Sequence, residues 1–328
     1  MGCRRKKIIW EIHNCLLDLG HISKIKYLND VDNTDEIVHI HVANLANEAH
    51  KRGIEYYFTM HDHHAYLYGK DSNVYKENLQ AIKSAKKAFV PAKFLVDYFE
   101  GIPEYFSHGV NTDIFNPANF KEHKLLCVAN NGFIHNQSED RKGFSYAIEA
   151  ARVLDLPITI AGPSNNKNYF EKYPSDYNKL KIIYDANEED LIKIYQDHSI
   201  FLHPSVLEAG HPNLTLLEAL SSGLPIVGTF EKGNSIDGMI TVERDTNQIV
   251  EATKKIIENY SSYKNSAINQ AKKLSWKNRT LELLKYYNKL EMKDQLIDIY
   301  TNTKKLSLKP KENNPRFNIN FIDGAFID

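Results

Sequence analysis

The chain has 328 residues, 42% hydrophobic and 25% charged, which suits a folded globular protein with room for two sizeable cores. A formal net charge of -1, with no basic stripe interleaved with aromatics, argues against a nucleic-acid partner. No run approaches the roughly eighteen apolar residues of a membrane span, no signal-peptide core is visible, and the three scattered cysteines Cys3, Cys15 and Cys127 argue for a reducing compartment, so the expected location is cytoplasmic.

At the start, Met1-Gly2-Cys3-Arg4-Arg5-Lys6-Lys7 superficially matches an acylated basic anchor, but Lys6 stands where Ser or Thr is wanted, and the segment reads as a solvated end. The stretch from Trp10 to His21 is helix-like, which leaves any opening strand absent or shortened to Lys7-Ile8-Ile9. Leu28 to Asp35 is a polar loop, and its Asp30-Val31-Asp32 is a chance pair rather than a metal site. Glu36 to Val42 reads as a strand, Asn44 to Lys51 as a helix, and Ile54 to Met60 as a second strand that ends at His61-Asp62-His63-His64. Strand ends are where α/β proteins place chemistry. His39 and His41 share one strand face, and with His61, His63 and His64 they admit a zinc site and hence a metal-dependent hydrolase. Against that reading, no ligand set recurs on later strands, and core or sheet-edge histidines account for His39 and His41. Ala88 to Pro91 and Lys93 to Phe99 form the next strand and helix, with a domain boundary near Pro117.

Beyond it, Lys124 to Ala129 is a strand, and Asp140-Arg141-Lys142-Gly143-Phe144 opens an amphipathic helix with Ala147, Ile148, Ala150, Ala151 and Leu154 on its apolar side. Ile158 to Pro163, Lys181 to Tyr184 and Ile200 to Leu202 are further strands, with a helix from Glu188 to Tyr195. Strands alternating with helices mean a parallel sheet. After the last of these strands comes the most informative run, from Ser205 to Pro225. Asn213 is a good N-cap, the loop before it carries Gly210 and Pro212, Gly223 ends the helix, and Pro225 to Gly228 is the next strand. Backbone amides at such a helix start suit an anion. Glu218 lies about one and a half turns into the helix, placed to accept two hydrogen bonds from a vicinal diol, and Glu208 sits on the loop where it would meet a sugar. The plainer alternative is a set of ordinary surface carboxylates and a solvated Arg141-Lys142 helix end.

The Ser205 to Pro225 run resembles the signature of retaining glycosyltransferases of the two-Rossmann-domain (GT-B) fold, family 4, also called glycosyl transferases group 1. In that family two glutamates frame the donor. Here Glu208 and Glu218 have nine residues between them, a loop two residues longer than the usual interval. Arg141-Lys142-Gly143 resembles the family's lysine-glycine element, which implies that Lys142 and Arg141 meet the donor diphosphate in place of a metal. The separate arginine usual before that lysine has no counterpart in Asn131 to Gln137. His61 matches the family's cleft histidine, Asp185-Ala186-Asn187 the turn beside the nucleotide base, and Gly228 to Asn234 with Trp276 the closing pattern, where Trp276 reads as core.

Together these imply an α/β protein of two Rossmann-like domains facing across a cleft, the N-terminal one shortened. The expected divisions are 1–117 on the acceptor side, 118–290 binding the nucleotide sugar, and 291–328 as helix extension, linker and strand-like tail. The expected activity is transfer of a sugar from a nucleotide diphosphate sugar to an acceptor hydroxyl with retention of configuration, in enzyme class 2.4, with no cofactor and no metal. The catalytic residues implied are His61 and Glu208. The donor-binding residues are Arg141, Lys142, Gly210, His211, Asn213, Leu214, Thr215 and Glu218. The acceptor would be a glycan, a lipid-linked sugar or another hydroxyl compound, and peripheral membrane contact through basic residues is compatible with this. The alternatives are a weak or inactive nucleotide-sugar-binding module and the hydrolase above. The tail from Phe317 to Ile327 reads as a strand that begins a further domain, or as an edge strand given to this fold or to a partner.

Overall fold

The computed structural model describes residues 4–32, 37–119, 122–129, 140–206, 208, 210, 212–230, 236–288 and 318–322. They form two compact units, one of Gly2–Ser107 with Trp276–Asp328 and the other of His108–Ser275. The chain therefore passes from the first unit to the second at Ser107 and returns at Trp276.

The first unit begins with helix α1 (Arg4–Asp18), followed by β1 (Ile22–Lys26), β2 (Ile37–Ile40), α2 (Ala43–Lys51), β3 (Tyr57–Thr59), α3 (His64–Tyr68), α4 (Asn73–Ser84), β4 (Lys87–Val90), α5 (Lys93–Tyr98) and β5 (Glu104–Tyr105). Of the two expectations for the opening strand, absence holds for the described residues: Lys7-Ile8-Ile9 lies inside α1, where Ile8, Ile9, Ile12 and Leu16 form one buried helical stripe. Strand β2 is buried along its whole length, as a strand covered on both faces must be. Ser72 caps α4 by accepting from the Tyr75 amide.

The second unit runs β6 (Leu125–Val128), α6 (Phe144–Leu154), β7 (Ile158–Gly162), α7 (Lys167–Lys172), β8 (Leu180–Tyr184), α8 (Glu188–Gln196), β9 (Ile200–His203), α9 (Leu214–Ser221), β10 (Ile226–Gly228), β11 (Met239–Thr241), α10 (Thr246–Glu258) and α11 (Tyr260–Lys273). Its six strands lie in the order β11-β10-β9-β6-β7-β8, and every pairing between them is parallel. Two apolar clusters fill it, one containing Phe144, Ile160 and Leu202, the other Phe201, Leu217 and Ile226. The β9-α9-β10 unit brings the Ser205 to Pro225 run to one end of the sheet.

The chain re-enters the first unit with α12 (Trp276–Asn288), in which Trp276 is buried, and β12 (Asn318–Ile322). The first sheet has the order β1-β12-β2-β3-β4-β5. Strand β12 is thus interior, parallel to β1 from Ile22↔Asn318 to Lys26↔Ile322 and to β2 from Ile319↔Ile37 to Ile322↔Ile40. The tail strand is given to this fold, as one reading of it had, but as an interior strand rather than an edge strand. The difference comes from pairing across almost the whole sequence, which local patterning does not carry. Phe321 on β12 is fully buried and packs on the rings of His39 and His41, at 5.7 and 5.6 Å. No described helix is long and apolar enough to cross a membrane.

Truncating Phe321 to Ala removes a buried aromatic from the middle of the first sheet and is expected to cost about 3–5 kcal/mol. Ile22→Ala, at a half-exposed position on the edge strand, should cost about 0.5 kcal/mol or less. Urea unfolding of the two variants measures the difference.

Candidate functional site

Three loop segments meet above the C-terminal ends of the second unit's strands: the turn before α6, the loop after β9, and the start of α9. The turn is shaped by Gly143, whose φ of +69° lies in the left-handed region. A Cβ there would meet the Pro204 carbonyl oxygen at 2.2 Å. Asp140 reaches over this turn and accepts from the amides of Phe144 (3.0 Å) and Ser145 (2.8 Å), so the first turn of α6 is capped by the protein itself. The Arg141 carbonyl accepts from the Val206 amide at 3.1 Å, which ties this turn to the loop after β9.

At the centre is an ion pair. Lys142 Nζ donates to Glu208 Oε1, and the two side chains are 6% and 11% exposed. Ser205 Oγ donates to the same oxygen, and Asn213 Nδ2 donates to Oε2 at 3.2 Å. His203 Nε2 is 3.8 Å from Oε1. Burial opposes ionisation of Glu208, but the Lys142 ammonium and His203, with the hydrogen bonds from Lys142 and Ser205, outweigh it and hold the carboxyl well below the usual carboxylate range. Asn213 has a second task. Its Oδ1 caps α9 by accepting from the Leu216 amide (3.1 Å) and also accepts from Thr215 Oγ1 (2.8 Å). One side chain therefore fixes both the helix start and the carboxylate. The amides of Leu214 and Thr215, in the first turn of α9, have no intrahelical acceptor and carry the positive end of the helix dipole.

The structure thus brings Lys142, Glu208, Asn213, Leu214 and Thr215 together, with Arg141 half-buried beside Lys142 and Gly210 packed against the His108 ring. Glu208 is an engaged, buried carboxylate rather than a solvated one. Glu218 lies deeper on α9, 8% exposed, and accepts from the Tyr195 hydroxyl at 3.2 Å. The same hydroxyl is 3.1 Å from the Thr215 carbonyl. Asn187 caps α8 through the Asp190 amide, so the turn expected beside the base is a helix entry. His211, the Asn131 to Gln137 loop and the Glu291 to Tyr300 extension lie outside the described residues. His61 belongs to the first unit and stands just beyond β3.

Four contributors were not singled out from the sequence. Ser205 stands three residues before Glu208, a spacing short enough for their side chains to meet. His203 ends β9. Thr229 Oγ1 donates to the Ser205 carbonyl at 2.5 Å, and Arg244 Nε donates to the Pro204 carbonyl at 3.1 Å. The last two come from distant segments, and no local pattern announces them. Among the described residues no group of three or more His, Cys, Asp or Glu side chains is arranged to hold a metal ion, the histidines of the first unit included.

Residues 128–259 match the family model for glycosyl transferases group 1. This stretch is similar to group 1 glycosyltransferases. It contains Lys142, Glu208, Asn213 and Glu218. Among solved structures, the chain is similar to the sucrose-phosphate synthase of Thermosynechococcus elongatus, with 14% identity over 80% of this chain and 74% of that one and a TM-score of 0.61. It is also similar to HepE of Anabaena in complex with UDP (11% identity, 77% and 79% covered, TM-score 0.60) and to TarM (15%, 84% and 58%, TM-score 0.62). At these identities the likeness establishes the fold, which is GT-B with two Rossmann-like domains. Comparison with curated protein sequences gives no match.

Because the folded carboxyl of Glu208 titrates below the value of 4.5 of an unperturbed glutamate, its contribution to stability is complete above that value and is lost as pH falls through the folded pKa. Wild type is therefore expected to lose stability on acidification below about pH 4.5. Glu208→Gln should be less stable at neutral pH by about 3–5 kcal/mol, since it leaves Lys142 buried without its counter-ion, and should lose less on acidification. Denaturant melts at pH 7 and pH 4 check both.

Proposed function

We propose that this protein is a glycosyltransferase that moves a sugar from a nucleotide diphosphate sugar to an acceptor hydroxyl, with retention of anomeric configuration and without a metal ion. The observation that carries the reading is the convergence of Lys142, Glu208 and the Asn213-capped start of α9 within the segment that matches group 1 glycosyltransferases.

The chemistry follows from the charges. In the reaction the bond between the anomeric carbon and the diphosphate oxygen breaks as the acceptor oxygen bonds to that carbon on the same face. The acceptor proton passes to the departing phosphate oxygen, and negative charge grows on the diphosphate. The Leu214 and Thr215 amides and the Lys142 ammonium offer fixed positive charge for it, with Arg141 beside them. Preorganised charge of this kind lowers the barrier more than any other single effect open to such a site. Lys142 already holds a carboxylate. The diphosphate takes its place at the ammonium, and Glu208 turns to hydroxyls of the transferred sugar. Glu218, Gly210 and His211 complete donor binding, and His61 steadies the reacting end of the sugar. Support for a nucleotide-sugar donor comes from HepE, whose structures hold UDP and UDP-glucose, and from the starch synthase IV catalytic domain of Arabidopsis thaliana, bound to ADP and acarbose.

The test is a thermal-shift panel of nucleoside diphosphates and their sugars, in which a ligand at a hundred times its Kd should add about 2.7 kcal/mol of stability. Lys142→Ala should weaken diphosphate binding about tenfold or more, the equivalent of one charge-assisted hydrogen bond. Transfer should persist in excess chelator, and NMR of the product should show the anomer of the donor. Nucleotide binding without consumption of any sugar donor would favour the inactive binding module.

A further inference from the structure

The first unit contains a file of imidazoles of which the proposed reaction uses only the outer end. His39 and His41 lie two apart on β2 and its continuation, and their rings stack at 4.5 Å with 19° between planes. His41 meets His61 differently. Its Nδ1 is 2.6 Å from His61 Nε2, while the ring centroids are 4.9 Å apart and the planes 17° apart. A short nitrogen-to-nitrogen contact of this kind is a hydrogen bond from one ring to the other. His41 is buried, at 4% exposure.

We propose that His41 is a positioning residue for His61: the two imidazoles share one proton across their Nδ1–Nε2 contact, which fixes the ring orientation and tautomer that His61 presents to the reacting sugar. This role rests on the glycosyltransferase reading, but the shared proton itself does not.

Proton counting limits the states. At the contact one nitrogen must donate and the other accept, so one of the two must carry no hydrogen. The pair then holds at most three ring protons and a single positive charge. Double protonation breaks the contact. The file behind His41 is built to stay neutral. His39 is buried, its Nε2 lies 2.8 Å from Thr59 Oγ1 and its Nδ1 2.5 Å from the Tyr287 hydroxyl, and burial lowers its pKa to about 3. Tyr287 is itself pushed up by burial, so it stays protonated. Phe321 of β12 closes the apolar side of both His39 and His41. Among the described titratable groups packed against the file are Tyr57 on β3 and Tyr287 on α12. Of the groups that follow His61, Asp62 and His64 pair with each other at 3.4 Å, and the buried His63 ring stacks on His64. Joined by this contact, the two imidazoles should take up one proton as a unit.

Two measurements on the full chain test this. In protein labelled with 15N-histidine, NMR should show His41 Nδ1 and His61 Nε2 coupled through a hydrogen bond, with one proton taken up by the pair as a unit. Two independent titrations near the ordinary histidine value would overturn the proposal whether or not the protein transfers sugar. Misplacing a group that orients the substrate can cost about 10²-fold, so His41→Phe should lower kcat at least about 10-fold, leave the donor KM nearly unchanged and move the acidic limb of the pH profile. His41→Asn, whose amide can meet His61, should restore much of the rate. Equal loss in both variants with an unmoved pH profile would reduce His41 to a packing residue. Absence of sugar transfer in wild type with the NMR coupling present would instead sink the glycosyltransferase reading and leave the proton-sharing pair standing.

Discussion

The buried pair of Lys142 and Glu208 is the interaction on which the second unit's functional end depends. Two opposite charges taken out of water cost several kcal/mol each unless they meet and their remaining hydrogen-bonding capacity is filled. Here Ser205 and Asn213 fill it for the carboxylate. The partners come from three loops: Lys142 from the turn before α6, Ser205 and Glu208 from the segment after β9, and Asn213 from the start of α9. One electrostatic requirement therefore sets the mutual positions of all three. The glycine at 143 belongs to the same requirement, because only a residue without a Cβ lets the lysine turn lie against Pro204.

Such a pair is poorly explained as a device for stability, since apolar residues of similar volume often serve as well or better. On the function proposed above, it serves as a charge store. An ammonium held dry by a carboxylate would receive a dianionic guest without first shedding a hydration shell, and the carboxylate it released would be free to accept from hydroxyl groups. A glycosyltransferase whose donor carries both a diphosphate and a polyol has use for both halves.

Much of this was legible in the residues. The strands of the second unit are short apolar runs between turn signals, and Asn213 announces itself as a cap by chemistry and place. The Arg141-Lys142-Gly143 and Glu208 to Glu218 segments were readable because local spacing carries their geometry. What escaped was non-local. Ser205 was within reach through its spacing to Glu208, but Thr229 and Arg244 join the loop from segments over twenty residues away. The His39 to His61 file had the look of a metal site because histidines on one strand face and at a strand end share a neighbourhood. Thr59, Tyr287 and Phe321, from elsewhere in the chain, are what make it a hydrogen-bonded stack. Helix α1 hid its first turns for a local reason: basic residues ahead of Ile8 and Ile9 mask the stripe that Ile12 and Leu16 continue.

Strand β12 carries a consequence for how the polypeptide matures. The second unit, His108–Ser275, is one uninterrupted stretch and can close its sheet soon after leaving the ribosome. The first unit is begun earlier, but the flanks of β1 and β2 that pair with β12 are filled only once that segment has been made. The unit begun second is thus the first whose chain is complete. During that interval the nascent N-terminal half exposes two unsatisfied strand flanks, the kind of surface that chaperones shelter.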